Sequence, residues 1–375
     1  MLVNKPLAKS LVFLGALVLA AFPAGRGAAQ EKPPANSTTK PISVPLIREF
    51  PLPEQVFLCG EKVPLEDRHT REMLDTELTL VAWGRAQVFL WHKRAARYFP
   101  HFERELSRAG LPGDLKYLAM AESDLRPQVM SPAGALGTWQ FMPATGQRFG
   151  LEKNEDFDHR RNSVHSTRAA IKYLKHLHQL FGKWSLAMAA YNCGEGRVAK
   201  EIREQGVRDY FFLDLPTETE RYIHRIIAIK TVLENPRKYG FALDPTRTFT
   251  SPRVEQIRVD LPRAVHFTKA AQAVGSTYKT LKEMNPEILG RYLPAGEYSI
   301  LVPAGRGETM SVFLQMEAAA ADKENSQKTS TYWVVKPGQS LGFIAARSGC
   351  SIRELKKINR ISGDKVLIGQ KLRLP

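Results

Sequence analysis

Cysteine is scarce in this chain of 375 residues: Cys59, Cys193 and Cys350 are the only three. They lie far apart and show no metal-ligand spacing, so at most one disulfide could form within the chain, and three free thiols is the plain reading. No metal and no cofactor is expected. Blocks of consecutive Lys and Arg are missing as well, although 54 basic against 38 acidic residues give a net charge of +16. Without such a block or a nucleic-acid motif, nucleic acid is not an expected partner, and the charge favours some other polyanionic surface or simple solubility. Long apolar runs are missing too. The one candidate, 11–22, is shorter than the roughly 20 residues a membrane span needs. Strand-like alternation is nearly absent between 66 and 240, which makes that stretch mainly α.

What is present begins at the N-terminus. Lys5 and Lys9 precede the apolar run, and the small residues Gly27-Ala-Ala29 follow it. That is the layout of a secretory signal peptide, expected over 1–29. No Cys lies near the cleavage site, so there is no acceptor for a lipid anchor. The chain is expected to be exported to the periplasm or cell envelope, with no stable transmembrane span once the signal is removed. A polar, Pro-rich linker is expected over 30–65. Apolar periodicity then marks helices from about 66 to 110, closed by Gly110, and again over 164–181, closed by Gly182. Trp184-Ser-Leu-Ala-Met-Ala-Ala-Tyr191 reads as a short buried helix, and 218–233 as a further helix ended by Asn235-Pro236.

The most informative stretch is 119–143. On a helix from Asp114, Leu115, Leu118, Ala119 and Glu122 share one face, so a carboxylate extends an apolar stripe. Burial raises a carboxyl pKa, and a carboxylic acid protonated near neutral pH is what a leaving glycosidic oxygen needs. Taken alone, the helix equally allows a Glu that caps or pairs with an Arg. The loop that follows, Ser131-Pro-Ala-Gly-Ala-Leu-Gly137, has glycines that permit close approach of backbone to a ligand. Trp139-Gln-Phe-Met142 then offers a flat apolar surface with one amide, which suits a sugar.

Glu122-Ser, Ser131, Gly134-Ala, Gly137, Trp139-Gln-Phe-Met-Pro143, Ala189-Ala-Tyr-Asn-x-Gly-Glu-Gly-Arg-Val198 and Leu215-Pro-x-Glu-Thr-x-Arg-Tyr222 occur in this order. Together they resemble the soluble lytic transglycosylase family. The resemblance covers roughly 66–375 when the C-terminal modules are included. It implies a lysozyme-like helical fold that cleaves the β-1,4 bond between N-acetylmuramic acid and N-acetylglucosamine in peptidoglycan. It further implies Glu122 as the single acid/base, which draws the muramyl C6 hydroxyl onto C1 and leaves a 1,6-anhydromuramyl end. Ser131, Gln140, Met142, Tyr191, Asn192 and Glu218 match its substrate-binding positions, Tyr191 through a hydroxyl near the catalytic acid. Asn192 has an alternative as a helix cap, and Glu218 one as a partner of Arg221. Asp124, Asp156 and Asp158 are not expected to be catalytic. Thr138, Asn162 and Cys193 depart from the family's usual residues, none of them at the acid itself.

After Pro252 the texture turns to α+β. Residues 331–375, with Tyr332-Trp-Val-Val-Lys-Pro-Gly-Gln-Ser-Leu341 and a closing Lys371-Leu-Arg-Leu-Pro375, resemble a LysM module. That implies a βααβ fold and a glycan-binding edge at Gly338, Gln339, Ser340 and Leu341, with a second loop over 361–367. Residues 254–303 repeat the element order and resemble a degenerate LysM; a polar linker is expected over 318–330. The expected organisation is therefore signal 1–29, linker 30–65, transglycosylase domain 66–245 with its core at about 105–235, and modules 254–303 and 331–375. The expected partner is peptidoglycan glycan strands, met by a monomer. A hydrolytic muramidase and a non-catalytic peptidoglycan-binding protein are the alternatives.

Overall fold

The computed structural model describes residues 49–325 and 332–375. The signal expected over 1–29 and the linker residues 30–48 lie outside the described residues.

Residues 49–65 correct the linker expectation. They are ordered, and 57–62 form a small hairpin of β1 (Phe57–Leu58) and β2 (Glu61–Lys62), with Phe57 opposite Lys62. The two-residue turn is Cys59-Gly60, both at positive φ, as a tight hairpin turn demands. Val56, Leu58, Val63 and Leu65 are buried in the main core. Glu61 accepts from the backbone N–H groups of Trp184 and Ser185 and from the Ser185 hydroxyl (2.8 Å), so it caps a helix more than 120 positions away.

The helical unit comprises α1 (Arg68–Trp83), α2 (Arg85–Arg108), α3 (Lys116–Ser123), α4 (Pro143–Arg148), α5 (Ser163–Phe181), α6 (Trp184–Cys193), α7 (Glu195–Gln205) and α8 (Thr217–Glu234). Asp67 caps α1 by accepting from the Thr70 amide at 2.8 Å. The pattern that reads as continuous helix from 66 to 110 is broken at Gly84, whose N–H closes α1 on the Leu80 and Val81 carbonyls. α6 is buried along 185–190, and α8 packs against α1, α3 and α6. α8 is thus the central post of the core, and its remaining face is free to line a cleft.

The chain then runs through β3 (Val254–Leu261), β4 (Val265–His266), α9 (Phe267–Ala273), α10 (Tyr278–Met284), β5 (Tyr292–Leu293), β6 (Gly296–Pro303) and α11 (Gly307–Asn325). β3 and β6 pair antiparallel, Val254 opposite Pro303 and Leu261 opposite Gly296. Residues 318–325, expected as the start of a linker, instead continue α11, because Ala318-Ala-Ala-Ala321 favours helix. The rest of that expected linker, 326–330, lies outside the described residues. The final module is β7 (Tyr332–Val334), α12 (Leu341–Ser348), α13 (Ile352–Asn359) and β8 (Lys371–Arg373), with β7 and β8 antiparallel. This is the βααβ order read from the sequence.

One side-chain device marks the repeat. Asn285 donates to the Leu281 and Leu301 carbonyls (2.9 and 2.8 Å) and accepts from the Leu301 amide (2.7 Å). Asn359 makes the same three bonds with Leu355 and Arg373 (2.8, 2.8 and 2.6 Å). In each module one amide side chain staples the second helix to the last strand.

Candidate active site

A cleft of about 680 Å³ opens between the end of α3, the loop 131–142 and the exposed face of α8. Its lining includes Glu122, Ser131, Gln140, Met142, Tyr191, Asn192 and Glu218, so all seven residues singled out for catalysis and substrate binding meet in one place.

Glu122 sits in the last turn of α3. The helix ends at Asp124, in the left-handed region with Leu125 after it (φ 56° and 58°). Trp91 donates to Asp124 Oδ1 (2.8 Å) and Arg94 to its carbonyl (3.2 Å), which hold this backbone and engage Asp124 away from the cleft lining. The Ser123 hydroxyl donates to the Thr138 carbonyl (2.7 Å), tying the end of α3 to the cleft loop. The Tyr222 hydroxyl donates to Glu122 Oε1. Desolvation by burial pushes the Glu122 carboxyl from its ordinary 4.5 up to about 7. Glu218 pushes in the same direction, while the Tyr222 hydrogen bond and the Arg225 charge oppose it.

The loop 131–142 is a compact folded unit. Leu136 bridges both Met130 and Phe141 in antiparallel fashion, and the Ser131 Oγ accepts from the Ala135 amide (3.0 Å). Gln140, itself at φ 48°, donates its amide to the Val129 and Gly137 carbonyls (3.0 and 2.7 Å). Gly137 is obligatory: its φ is 88°, and a Cβ there would lie 1.9 Å from the Arg160 carbonyl oxygen. The expected flat surface of Trp139-Gln-Phe-Met142 is corrected. Trp139 and Phe141 are buried in the core, with the Trp139 indole N–H on Thr167 (2.9 Å), and only Gln140 and Met142 line the cleft. Residues 137–140 form a turn closed by the Leu136–Phe141 bridge, and it is this turn that sends Trp139 inward and leaves Gln140 at the cleft.

Other details differ from the expectations. The Tyr191 hydroxyl donates to the Trp139 carbonyl (2.7 Å); the hydroxyl that reaches Glu122 is that of Tyr222. Asn192 does not cap α7; its Oδ1 accepts from the Thr219 hydroxyl (2.8 Å). Arg221 pairs with buried Glu77 at 2.6 Å rather than with Glu218. Arg225 and Glu77 were not singled out from the sequence, and Arg221 and Tyr222 appeared only within the third motif with no role in the site, yet all four line the cleft. The spacing 218, 221, 222, 225 puts four of the cleft residues on one face of α8, which was the available signal. The four residues expected at a glycan-binding edge lie in the last module, away from this cleft. The Gln339 side-chain oxygen accepts from the Trp333 indole (3.0 Å) and the Lys336 amide (2.9 Å), Ser340 caps α12, Leu341 is buried and Gly338 has φ 79°.

The helical domain, with a Glu122 carboxyl raised toward neutrality in its cleft, has known relatives. Residues 100–211 match the Transglycosylase SLT domain, residues 334–375 the LysM domain, and residues 255–317 the LysM-like domain of lytic transglycosylase MltD. Residues 100–211 are thus similar to an SLT domain, and 255–317 and 334–375 to LysM-type modules, in a chain that is mainly α and then α+β. It is similar to membrane-bound lytic murein transglycosylase D of Escherichia coli K12, at 33% identity over 290 residues, 74% of this chain and 63% of that protein. It therefore spans less than two thirds of that relative's length. A putative tributyltin chloride resistance protein of an Alteromonas species is 34% identical over 126 residues, 33% of this chain and 58% of that protein. The crystal structure of the 70 kDa soluble lytic transglycosylase of Escherichia coli aligns over 39% of this chain and 25% of that one, at 25% identity and a TM-score of 0.31. Among the described residues, no helix is long and apolar enough to cross a membrane.

Proposed function

We propose that this chain is a peptidoglycan lytic transglycosylase that cleaves the β-1,4 bond between N-acetylmuramic acid and N-acetylglucosamine with Glu122 as acid and then base. The observation that carries the reading is the Glu122 carboxyl, raised to about 7 in the cleft of an SLT domain. At neutral pH such a group is poised to donate to the leaving oxygen and then to accept the proton of the muramyl C6 hydroxyl. The hydroxyl oxygen closes on C1 as the glycosidic bond breaks, so no water is consumed. Tyr222 orients the carboxyl. Ser131, Gln140, Met142, Tyr191, Asn192 and Glu218 surround the sugars. The helical domain, placed at 66–245 with a lysozyme-like core at about 105–235, is extended by the ordered hairpin before it. The last module, 331–375, holds glycan at 338–341 and 361–367 and raises the local concentration of a monomeric enzyme on an insoluble polymer. The site of action is the cell envelope, reached by export.

One observation favours a second reading. Glu218 is an exposed carboxylate in the same cleft, and a second carboxylate could activate water for hydrolysis. Mass spectrometry of fragments released from purified peptidoglycan separates the two. Anhydromuramyl ends are expected; reducing muramic ends would establish a hydrolytic muramidase, and no release at all a binding protein.

A further inference from the structure

The first module does not hang freely from the helical unit. Its segment after Asn285 pairs with the loop 156–158. The Asp158 amide donates to the Glu287 carbonyl (2.8 Å), the Leu289 amide donates to the Asp156 carbonyl (2.6 Å), and Phe157 bridges Ile288 between them in antiparallel fashion. The Phe157 ring leaves its own domain and packs into the module's core, edge-on to Tyr298 with centroids 5.1 Å apart. This is strand pairing within one chain, with backbone bonds for register and one aromatic anchor.

The repeat shows what this contact displaces. Asn285 and Asn359 occupy equivalent places, so 287–289 corresponds to 361–363, the start of the loop expected to hold glycan in the last module. In the first module the equivalent edge is filled by the helical domain's own backbone.

The contact also leads into the cleft. Asp158, fixed by Glu287, makes a buried two-point pair with Arg160 (2.9 and 2.7 Å). The other arm of the Arg160 guanidinium donates to the Gly134 and Phe141 carbonyls, each at 3.0 Å, at two points of the cleft loop. The Arg160 carbonyl is the atom that leaves no room for a side chain at Gly137. A continuous line of bonds therefore runs from the module's backbone through one buried ion pair to the wall of the cleft.

We propose that the first module is a fixed brace for the cleft rather than a glycan-binding tether, and that Asp158 and Arg160 are positioning residues through which it holds the loop 134–141. Its catalytic consequence rests on the transglycosylase reading above; the brace itself does not. The test uses the full chain with Phe157→Ala, which withdraws the anchor, and Leu289→Pro, which removes the amide that donates to Asp156. Amide hydrogen exchange is followed in 134–141 and, as a reference, in 226–232 of α8. In both variants exchange in 134–141 is expected to quicken by about tenfold while 226–232 is unchanged. Phe157→Leu should restore the slow rate. Turnover of a soluble glycan oligomer should fall with the first two variants, while retention on insoluble peptidoglycan stays as in the wild type. Wild-type exchange in 134–141, or equal quickening in 226–232, overturns the brace. A wild-type chain that releases no anhydromuramyl product would sink the functional reading and leave the exchange result to judge the brace alone.

Discussion

Replacing Glu122 by Gln separates the cost of the site from its chemistry. The wild-type carboxyl sits at about 7 in the folded chain and at its ordinary 4.5 when unfolded. Below pH 4.5 both states hold the proton and burial of the acid is harmless. Between 4.5 and 7 the unfolded chain releases the proton and the folded chain keeps it, so stability falls as pH rises. Above 7 the full penalty is present. At ~1.4 kcal/mol per pH unit the shift amounts to at most about 3.5 kcal/mol, and the partial exposure of Glu122 to the open cleft trims this toward ~2 kcal/mol. Gln does not titrate and still offers Tyr222 an acceptor. Glu122→Gln should therefore match the wild type in urea unfolding at pH 4 and exceed it by about 2 kcal/mol at pH 8.5, while releasing no fragments from peptidoglycan. In parallel, wild-type turnover should decline as pH rises through 7, where the acid loses its proton. A stability difference that stays flat from pH 4 to 8.5 would refute the claim that burial raises this carboxyl.

The neighbours of Glu122 give a signed pair. Glu218→Gln removes a like charge and should move the alkaline limb of the rate profile down by about half a pH unit, whereas Arg225→Gln should move it up by a similar amount. Gly137→Ala forces a Cβ against the Arg160 carbonyl at positive φ; a loss of about 3 kcal/mol or more in unfolding free energy, with loss of turnover, is expected. Glu61→Ala leaves the first turn of α6 without its acceptor and should cost about 1–2 kcal/mol by thermal or urea unfolding, although residue 61 is remote from the cleft in sequence.

Much of this architecture was legible. The 3.6-residue periodicity placed the long helices, and Gly110 and Gly182 ended them where expected, each at positive φ. The seven candidate residues of the helical domain were identified through ordered motifs, and the chain folds them around one cleft, while 338–341 lie in the last module. What escaped had physical reasons. The hairpin at 57–62 was hidden because proline-rich composition on one side outweighed the alternation of Val56, Leu58, Val63 and Leu65 across the Cys59-Gly60 turn. The break at Gly84 was hidden because a single glycine inside a helical pattern is tolerated more often than not. Tyr222 is 100 positions from Glu122, so its donation to that carboxyl depends on how α3 and α8 cross. Trp139 and Phe141 looked like a sugar platform because aromatic residues suit either a core or a ligand, and only the turn at 137–140 decides which side each faces.

The segment before α1 also bears on how the helical unit reaches this state. Phe50 packs edge-on against Trp83 and tilted against Tyr239, and the Tyr239 hydroxyl donates to the Pro51 carbonyl across a separation of 188 residues. The first described residues are thus closed against the very end of the helical unit. During synthesis these residues emerge first, and their partners emerge last. Closing so large a loop is entropically expensive and slow compared with local helix formation. The helices can form as they appear, but the core stays unsealed along this seam until the chain has been made past residue 241. A chain shortened to begin at residue 66 would leave the N-terminal turn of α6 and the flank of Tyr239 bare, and would be prone to stick to other copies of itself.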